Sequence, residues 1–396
     1  MSGDELARVG APVYHVITPG DHFSPRTGSA IPTVVHGLAT GAALNGDGGL
    51  YPQHVVVQKG TFEPRYTSAV SVEYAGSMDP PRTQRYIDVV RGGLGMRRRS
   101  AEQRFVPVVQ TLEDQPGGIV LAHNTPSLPR QLVGSKHACI LYAHNDLFRT
   151  YTDREVGRVV EATDAVICVS EFVAGQLRDR LPGRLHDAVT VVGNGVDIMQ
   201  FRPAGDARRR VPRIMFVGRT IPEKGPDILL AALAMMGRSD LEVVIVGSYG
   251  FDPTAAPTAY EGELRQAAET LPCPVRFEPF VDRQQLPALL QSAEILVVPS
   301  RWSEPWALTV GEGLACGLVV VAAARGGIPE ALGGAGILFD PSEPAQLAAA
   351  LDALIDDPEK RGMLGAQGRR SAEERDWSWA WRHLARVLDS LDGVGR

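Results

Sequence analysis

The sequence predicts an α/β protein built from two open parallel sheets in tandem. Three observations carry this reading. Short apolar, β-branched runs alternate with helical patterns along the whole chain, as expected of parallel strands joined by crossover helices. The chain has 396 residues, enough for two domains at roughly 100–200 residues each. The alternation breaks once, near residues 194–203, where the turn-prone Asn194-Gly195 pair follows a strand and an irregular, Arg-rich stretch leads to a new one.

Taken in order, the strand candidates of the first half are residues 13–18, 54–58, 69–74, 106–110, 119–123, 138–143, 165–170 and 189–193. Those of the second half are 213–217, 242–246, 275–278, 295–299 and 319–323. Helical patterns lie between them, among them 153–162, 228–236, 286–292 and 345–354. The division that follows is a first domain over residues 1–194, a second over 195–375, and a terminal segment, 376–396, holding a helix from Trp377 to Leu391. Trp377 and Trp381, four apart on one helix face, suit packing back onto the first domain. Ligands of open α/β sheets bind outside the carboxyl ends of the strands. Two such sheets facing each other would enclose a deep cleft.

Composition narrows the function. Apolar residues make up 44% and charged residues 22%, an ordinary globular balance. The net charge is -6; up to Gly195 there are 19 basic and 19 acidic residues, so the deficit falls in the second half. Nucleic-acid binding, which needs clustered positive charge, is disfavoured, and any anion site must be made locally. None of Cys139, Cys168, Cys273 and Cys316 lies near another in sequence, so no zinc-type spacing exists, and three sit in apolar runs as buried thiols would. The N-terminus is polar, without a basic-then-apolar signal pattern, and no apolar run reaches membrane-helix length. The expectation is a cytoplasmic enzyme with no membrane span.

Four constellations could carry chemistry. The first is Gly218-Arg219 to Lys224-Gly225, between a strand end and a helix start. A guanidinium fork and an ammonium five residues apart suit a diphosphate; two solvated surface cations would show the same pattern. The second runs from Pro299 to Gly317. A helix opening near Ala307 would present the N–H groups of Ala307, Leu308 and Thr309 to an anion, and the carboxylates of Glu304 and Glu312 could each hold a hydroxylated ring. Glu304 would equally favour the helix dipole. The third is His123 in Leu121-Ala-His123-Asn124-Thr125, with His144 at the end of the next strand. His123 at a strand end would face the cleft, although a histidine satisfied by backbone has the same signature. The fourth is the loop around Gly28, just after the first strand. No G-x-G-x-x-G fingerprint and no Walker A sequence occurs, which counts against nicotinamide and P-loop enzymes. No Asp-x-Asp pair ends a strand, so no metal is expected at a diphosphate.

Together these residues resemble the family-four retaining glycosyltransferases, which have the GT-B fold of two Rossmann-like domains. The Gly218-Arg219…Lys224-Gly225 turn resembles that family's phosphate grip. Glu304 and Glu312 match its paired-glutamate motif, and Asn194-Gly195-Val196-Asp197…Phe201-Arg-Pro203 resembles its hinge. Gly326-Gly-Ile-Pro-Glu330 and Gly336-Ile-Leu-Phe-Asp340 fit as well. The resemblance implies that Arg219 and Lys224 stabilise a departing diphosphate and that Glu312 holds the ribose. Glu304 would contact the donor sugar, with backbone N–H groups from the Trp306–Thr309 stretch beside it. His123 would contact the donor sugar near the reacting carbon, Gly28 would lie under the phosphates, and the Phe280-Val281 backbone would read the base. Two departures stand out: Ala307 replaces a usual glycine, and the Gly28 loop has one glycine where many relatives have two.

The implied reaction is retaining transfer of a hexose or amino-hexose from a nucleotide diphosphate sugar, UDP-linked by expectation, to a hydroxyl of a small polar acceptor such as an aminocyclitol or natural product. No cofactor or metal is implied; the nucleotide sugar is a co-substrate. Two other readings remain: an epimerase or hydrolase of nucleotide sugars, and a nucleotide-sugar-binding subunit without catalysis. Arg97-Arg98-Arg99 could meet an anionic acceptor or membrane, or be a solvated loop.

Overall fold

A computed structural model describes residues 10–76, 81–205, 211–252 and 254–391. The polar N-terminal segment read above lies, apart from Gly10, outside them. The chain forms two compact units: the first takes in the chain up to Ser24, Ser29–Gly193 and the chain from Trp377; the second takes in Pro25–Gly28 and Asn194–Asp376.

The first unit is built on strands β1 (Val13–Val16), β2 (Gln53–Gln58), β3 (Val70–Tyr74), β4 (Ile119–His123), β5 (Ala138–Ala143), β6 (Ala165–Cys168) and β7 (Val189–Val191). All pair in parallel, in the order β3-β2-β1-β4-β5-β6-β7. The second unit holds β8 (Arg213–Val217), β9 (Glu242–Val246), β10 (Val275–Glu278), β11 (Ile295–Val298), β12 (Val319–Ala323) and β13 (Ile337–Phe339), also parallel, in the order β10-β9-β8-β11-β12-β13. Every residue of β1, β4, β11 and β12 is buried. Helices cover both faces of such strands, which is why they read as continuous apolar runs and not as alternation. Each buried Val, Ile or Leu contributes about 1.5–3 kcal/mol.

Two elements differ from the sequence reading. Residues 106–110, expected as a strand, begin the helix Val106–Glu113. Pro107 sits in its first turn, where its missing N–H costs nothing. Val108 and Leu112, four apart, are fully buried while Val106 is 43% exposed, a helical stripe that a short valine run disguises. The short edge strand β13 was not expected.

The helix Trp377–Leu391 packs in the first unit against the helix Ala30–Leu44. A Cβ at Gly37 would lie 2.1 Å from the Trp377 ring, and one at Gly41 would lie 2.2 Å from the Trp377 carbonyl oxygen. These two glycines let the backbones approach, and Trp381, fully buried, donates its indole N–H to Asp47 at 2.7 Å. All four cysteines are buried free thiols; burial pushes Cys168 and Cys316 up to about 12. Among the described residues no helix is long and apolar enough to cross a membrane.

Candidate functional site

In the second unit, β8 and β11 lie side by side while the chain leaves them in opposite directions. A crevice opens at the carboxyl ends of such a strand pair, and both charged motifs sit there. After β8 the chain makes the short turn Pro222–Lys224 and reaches Gly225 at φ 69°. A Cβ at Gly225 would lie 2.1 Å from the Pro299 carbonyl oxygen at the end of β11, so only glycine fits. Across the two loops Asp227 accepts both Arg301 nitrogens, at 2.7 and 2.5 Å, and the Tyr260 hydroxyl at 2.6 Å. Burial alone would raise the Asp227 carboxyl pKa; these hydrogen bonds and the Arg301 charge outweigh it and lower it.

Within this frame the Lys224 ammonium donates to Glu304 Oε1 at 2.5 Å, and Ser300 Oγ donates to the same oxygen at 2.6 Å. The Glu304 side chain is 7% exposed and that of Lys224 is 28% exposed, so the pair is desolvated on the carboxylate side and open on the ammonium side. Gly326, at φ 59°, lets the chain cross under Glu304, where a Cβ would lie 2.3 Å from the Glu304 carbonyl oxygen. Gly327 N–H then donates to that oxygen at 2.6 Å. Arg219 is exposed, and its guanidinium takes no partner among the described residues. One cation is thus already matched to a carboxylate, and the other is available.

Glu312 lies on the helix Leu308–Ala315 and is 2% exposed. Its Oε1 takes a hydrogen bond from Arg283, while its Oε2 is buried without a partner among the described residues. An unsatisfied buried carboxylate oxygen is costly, and a hydroxyl donor would relieve it. Ala307, just before this helix, has φ 67°, a left-handed conformation that favours glycine. Leu308 and Thr309 are half-buried and Trp306 is 9% exposed; the first N–H groups of the helix have no intrahelical acceptor. Phe280 N–H donates to Ser248 Oγ at 3.1 Å, and its ring meets Phe251 edge-on at 5.4 Å. Half-buried Val281 follows it. Gly28 abuts both rings: a Cβ there would lie 2.9 Å from Phe251 and 3.2 Å from Phe280. The structure therefore joins Lys224 to Glu304 and Gly28 to Phe280. It also gives places to Ser300 and Gly326, which the motifs contained without a role, and adds Arg283, which they did not contain.

In the first unit the third constellation takes a different form. His123 was expected to be open to ligand; it has 0% exposure, and both ring nitrogens are occupied. Nε2 meets His15 Nδ1 at 2.9 Å, and Nδ1 meets His144 Nε2 at 2.7 Å. His15 Nε2 continues to Gln53 Oε1 at 2.9 Å, and Gln53 Nε2 donates to the Tyr51 carbonyl at 2.6 Å. Register explains the chain. His15 pairs with Leu121 and His123 with Tyr142. Gln53, His15, His123 and His144 thus climb diagonally across β2, β1, β4 and the end of β5, each two residues beyond its neighbour's register partner and on the same face. Burial lowers the pKa of all three imidazoles: His15 to about 4, His144 to about 3, and His123 well below its ordinary value, with the adjacent rings adding to the effect there. Among the described residues no group of three His, Cys, Asp or Glu side chains could hold a metal ion.

With this geometry in view, comparison with known proteins is direct. Residues 198–371 match the family model of group 1 glycosyl transferases, and residues 54–200 match that of glycosyltransferase family 4. A D-inositol 3-phosphate glycosyltransferase of Catenulispora acidiphila is 32% identical over 75% of this chain and 69% of its own. The chain belongs to glycosyltransferase family 4. Another protein of that name, from Thermomonospora curvata, is 37% identical over 56% of this chain and 55% of its own, so the match spans little more than half of that relative. Among solved structures, Anabaena HepE in complex with UDP-glucose aligns with TM-score 0.69 and 18% identity over 96% of this chain and 100% of its own. Sucrose-phosphate synthase from Thermosynechococcus elongatus aligns with TM-score 0.73 and 19% identity over 97% of this chain and 100% of its own. At such identities the likeness establishes the fold, which is GT-B, as the motifs implied.

Proposed function

We propose that this family-4 glycosyltransferase moves a hexose or amino-hexose from a UDP-linked donor to a hydroxyl of a small cyclitol-like acceptor, with retention and without a metal, in the cytoplasm. The observation that carries the reading is the cluster at the β8/β11 switch point: Lys224 held on Glu304, which also accepts from Ser300, with Arg219 five residues earlier meeting no partner among the described residues. Charge grows on the diphosphate as the glycosidic bond breaks, and fixed cations stabilise it without reorganising. Arg219 and Lys224 take that role. Glu304 orients Lys224 and accepts from donor-sugar hydroxyls, assisted by the N–H groups at Trp306, Ala307, Leu308 and Thr309. Glu312 Oε2 accepts a ribose hydroxyl. Gly28 leaves room at the phosphates, and the backbone of Phe280 and Val281 reads the base. His123, buried with both ring nitrogens occupied, serves the sugar being transferred only through the His144 ring it holds. The leaving diphosphate takes the acceptor's proton.

The UDP-glucose in HepE and the inositol phosphate in the relatives' names support the donor and acceptor classes. One feature of the first unit favours an anionic group on the acceptor. A small cavity is lined by Arg97, Arg98, Arg130 and Arg158, with Glu102 and Glu155 beside them. Arg98 is spent on Glu155 at 2.8 Å, whereas the Arg97 and Arg130 guanidinium groups meet no acceptor among the described residues.

The test is UDP release from UDP-glucose with and without inositol or inositol phosphate, product anomers read by NMR, and a parallel assay in EDTA. Expected are acceptor-dependent release, an α-linked product, and no effect of EDTA. Equal release without acceptor would mean a hydrolase, and no release with any nucleotide sugar would mean a binding subunit.

A further inference from the structure

The histidine chain of the first unit fixes its own protonation pattern. The Tyr51 carbonyl can only accept, so Gln53 must turn its amide nitrogen to it and its oxygen to His15. His15 Nε2 therefore carries the proton, and His15 Nδ1 is a lone pair. That lone pair requires a proton on His123 Nε2, which leaves His123 Nδ1 bare, and this in turn requires a proton on His144 Nε2. His144 Nδ1 is then a lone pair with no partner among the described residues, on a half-buried ring. His144 is also held in place. Its backbone N–H donates to Asn124 Oδ1 at 2.8 Å, and its ring stacks on Tyr142 with centroids 4.5 Å apart. Asn124 holds the left-handed φ of 53°, one of two non-glycine residues to do so among those described.

We propose that His144 is the imidazole of the first unit that meets ligand, as a neutral Nδ1 acceptor for a sugar or cyclitol hydroxyl, and that His123, His15 and Gln53 are positioning residues that set its tautomer. The proposal rests on the glycosyl-transfer reading only for the nature of the ligand. His144 is an acceptor and not a general base. A proton taken at Nδ1 could pass to His123 and His15, but there it stops, because neither the Gln53 amide nor the Tyr51 carbonyl is a base. The stranded charge would sit among buried rings, which is unfavourable. The ligand's hydroxyl keeps its proton on this side and only donates a hydrogen bond.

The experiment uses the full chain with 15N-labelled histidine at pH 7.5, where long-range 1H–15N correlations distinguish the two tautomers. All three residues are expected as Nε2–H forms. Myo-inositol, UDP-glucose and UDP are then added in turn. The His144 Nδ1 signal should move with myo-inositol if the hydroxyl is the acceptor's, or with UDP-glucose but not UDP if it is the donor sugar's. His144→Phe, which keeps the ring stack, should raise KM for that ligand roughly 3–10-fold, the worth of one neutral hydrogen bond, with kcat little changed. Gln53→Leu should give mixed tautomers at His144, and Gln53→Glu should restore the Nε2–H form. A proton on His144 Nδ1 in the wild type, or a His144 signal unmoved by all three probes, overturns the proposal. A thermal unfolding midpoint unmoved by both UDP and UDP-glucose would instead overturn the donor reading, leaving myo-inositol to test His144.

Discussion

All nine histidines of the chain fall in the first unit and none in the second. The second unit buries two carboxylates in ion pairs, Glu304 with Lys224 and Glu312 with Arg283, beside the exposed pair of Asp227 and Arg301. The first aligns neutral rings in a chain whose only variable is which nitrogen holds the proton. At these two strand-end sites, sheets of the same architecture thus bury polar groups with charge in one and with tautomers in the other, although elsewhere the first unit too pairs charges, Arg98 with Glu155. A pair of charges suits a ligand whose own charge changes, such as a diphosphate. A neutral chain suits one that offers only hydroxyls.

The contrast breaks first on acidification. His15, His123 and His144 have folded pKa values below their unfolded ones, so the unfolded first unit binds more protons as pH falls. Their contribution is complete above about pH 6.5 and is lost as pH falls toward 4 and 3. His15 alone, lowered to about 4, is worth about 3 kcal/mol. In the second unit Asp227 and Glu261, which closes the capping box with Thr258 at the start of the helix Ala259–Glu269, have lowered values, so their contribution persists to below the ordinary carboxylate range. A Trp302→Phe/Trp306→Phe variant leaves Trp377, Trp379 and Trp381 to report on the first unit. Its urea midpoint should drop between pH 7 and 4.5; a midpoint flat over that range contradicts the assignment of neutral buried rings.

Next in size is turnover. Lys224→Ala and Arg219→Ala should each lower kcat by roughly 10²–10³-fold. Arg219→Ala should leave the unfolding midpoint unchanged, since that side chain is exposed and meets no partner among the described residues. Lys224→Ala should also cost stability, because it strands Glu304, which is 6% exposed. If both variants behaved alike in denaturant, the division of labour between the two cations would be wrong.

Gly41→Val should destabilise the first unit by about 1–3 kcal/mol through overpacking against Trp377, read by the same tryptophan fluorescence. The smallest effect is expected from Ala307→Gly, which relieves the left-handed backbone at φ 67° and should stabilise the second unit by up to about 1 kcal/mol. A loss of stability there would mean that the Ala307 methyl packs usefully.

Most strands and the two charged motifs were legible because parallel strands buried on both faces leave runs of Val, Ile and Ala, and because Gly218, Gly225 and Glu304 stand in the loops that follow them, with Glu312 on the helix just beyond. Residues 106–110 misled because a short valine run has no period of its own; only the spacing of Val108 and Leu112 marks the helix. Arg283 was not legible as a partner of Glu312, since the two lie on different connections, 29 residues apart. Nor were His15 and Gln53. Their alignment with His123 depends on which strands are neighbours and in what register, and neither is written in any one segment. His123 and His144 both end strands, and which of the two rings keeps a nitrogen open is decided only by their neighbours in the sheet.

The helix Trp377–Leu391 has a consequence for how the protein is made. It completes the first unit, yet it leaves the ribosome only after the entire second unit has been synthesised. At about 5–20 residues per second the first sheet waits on the order of ten to forty seconds for its last helix. During that interval the face of Ala30–Leu44 that carries Gly37 and Gly41 lacks its partner. The second unit, continuous from Asn194 to Asp376 apart from the Pro25–Gly28 loop, can mature first. The half of the molecule translated earlier is then the half that finishes later, and a nascent-chain chaperone would be expected to linger on it.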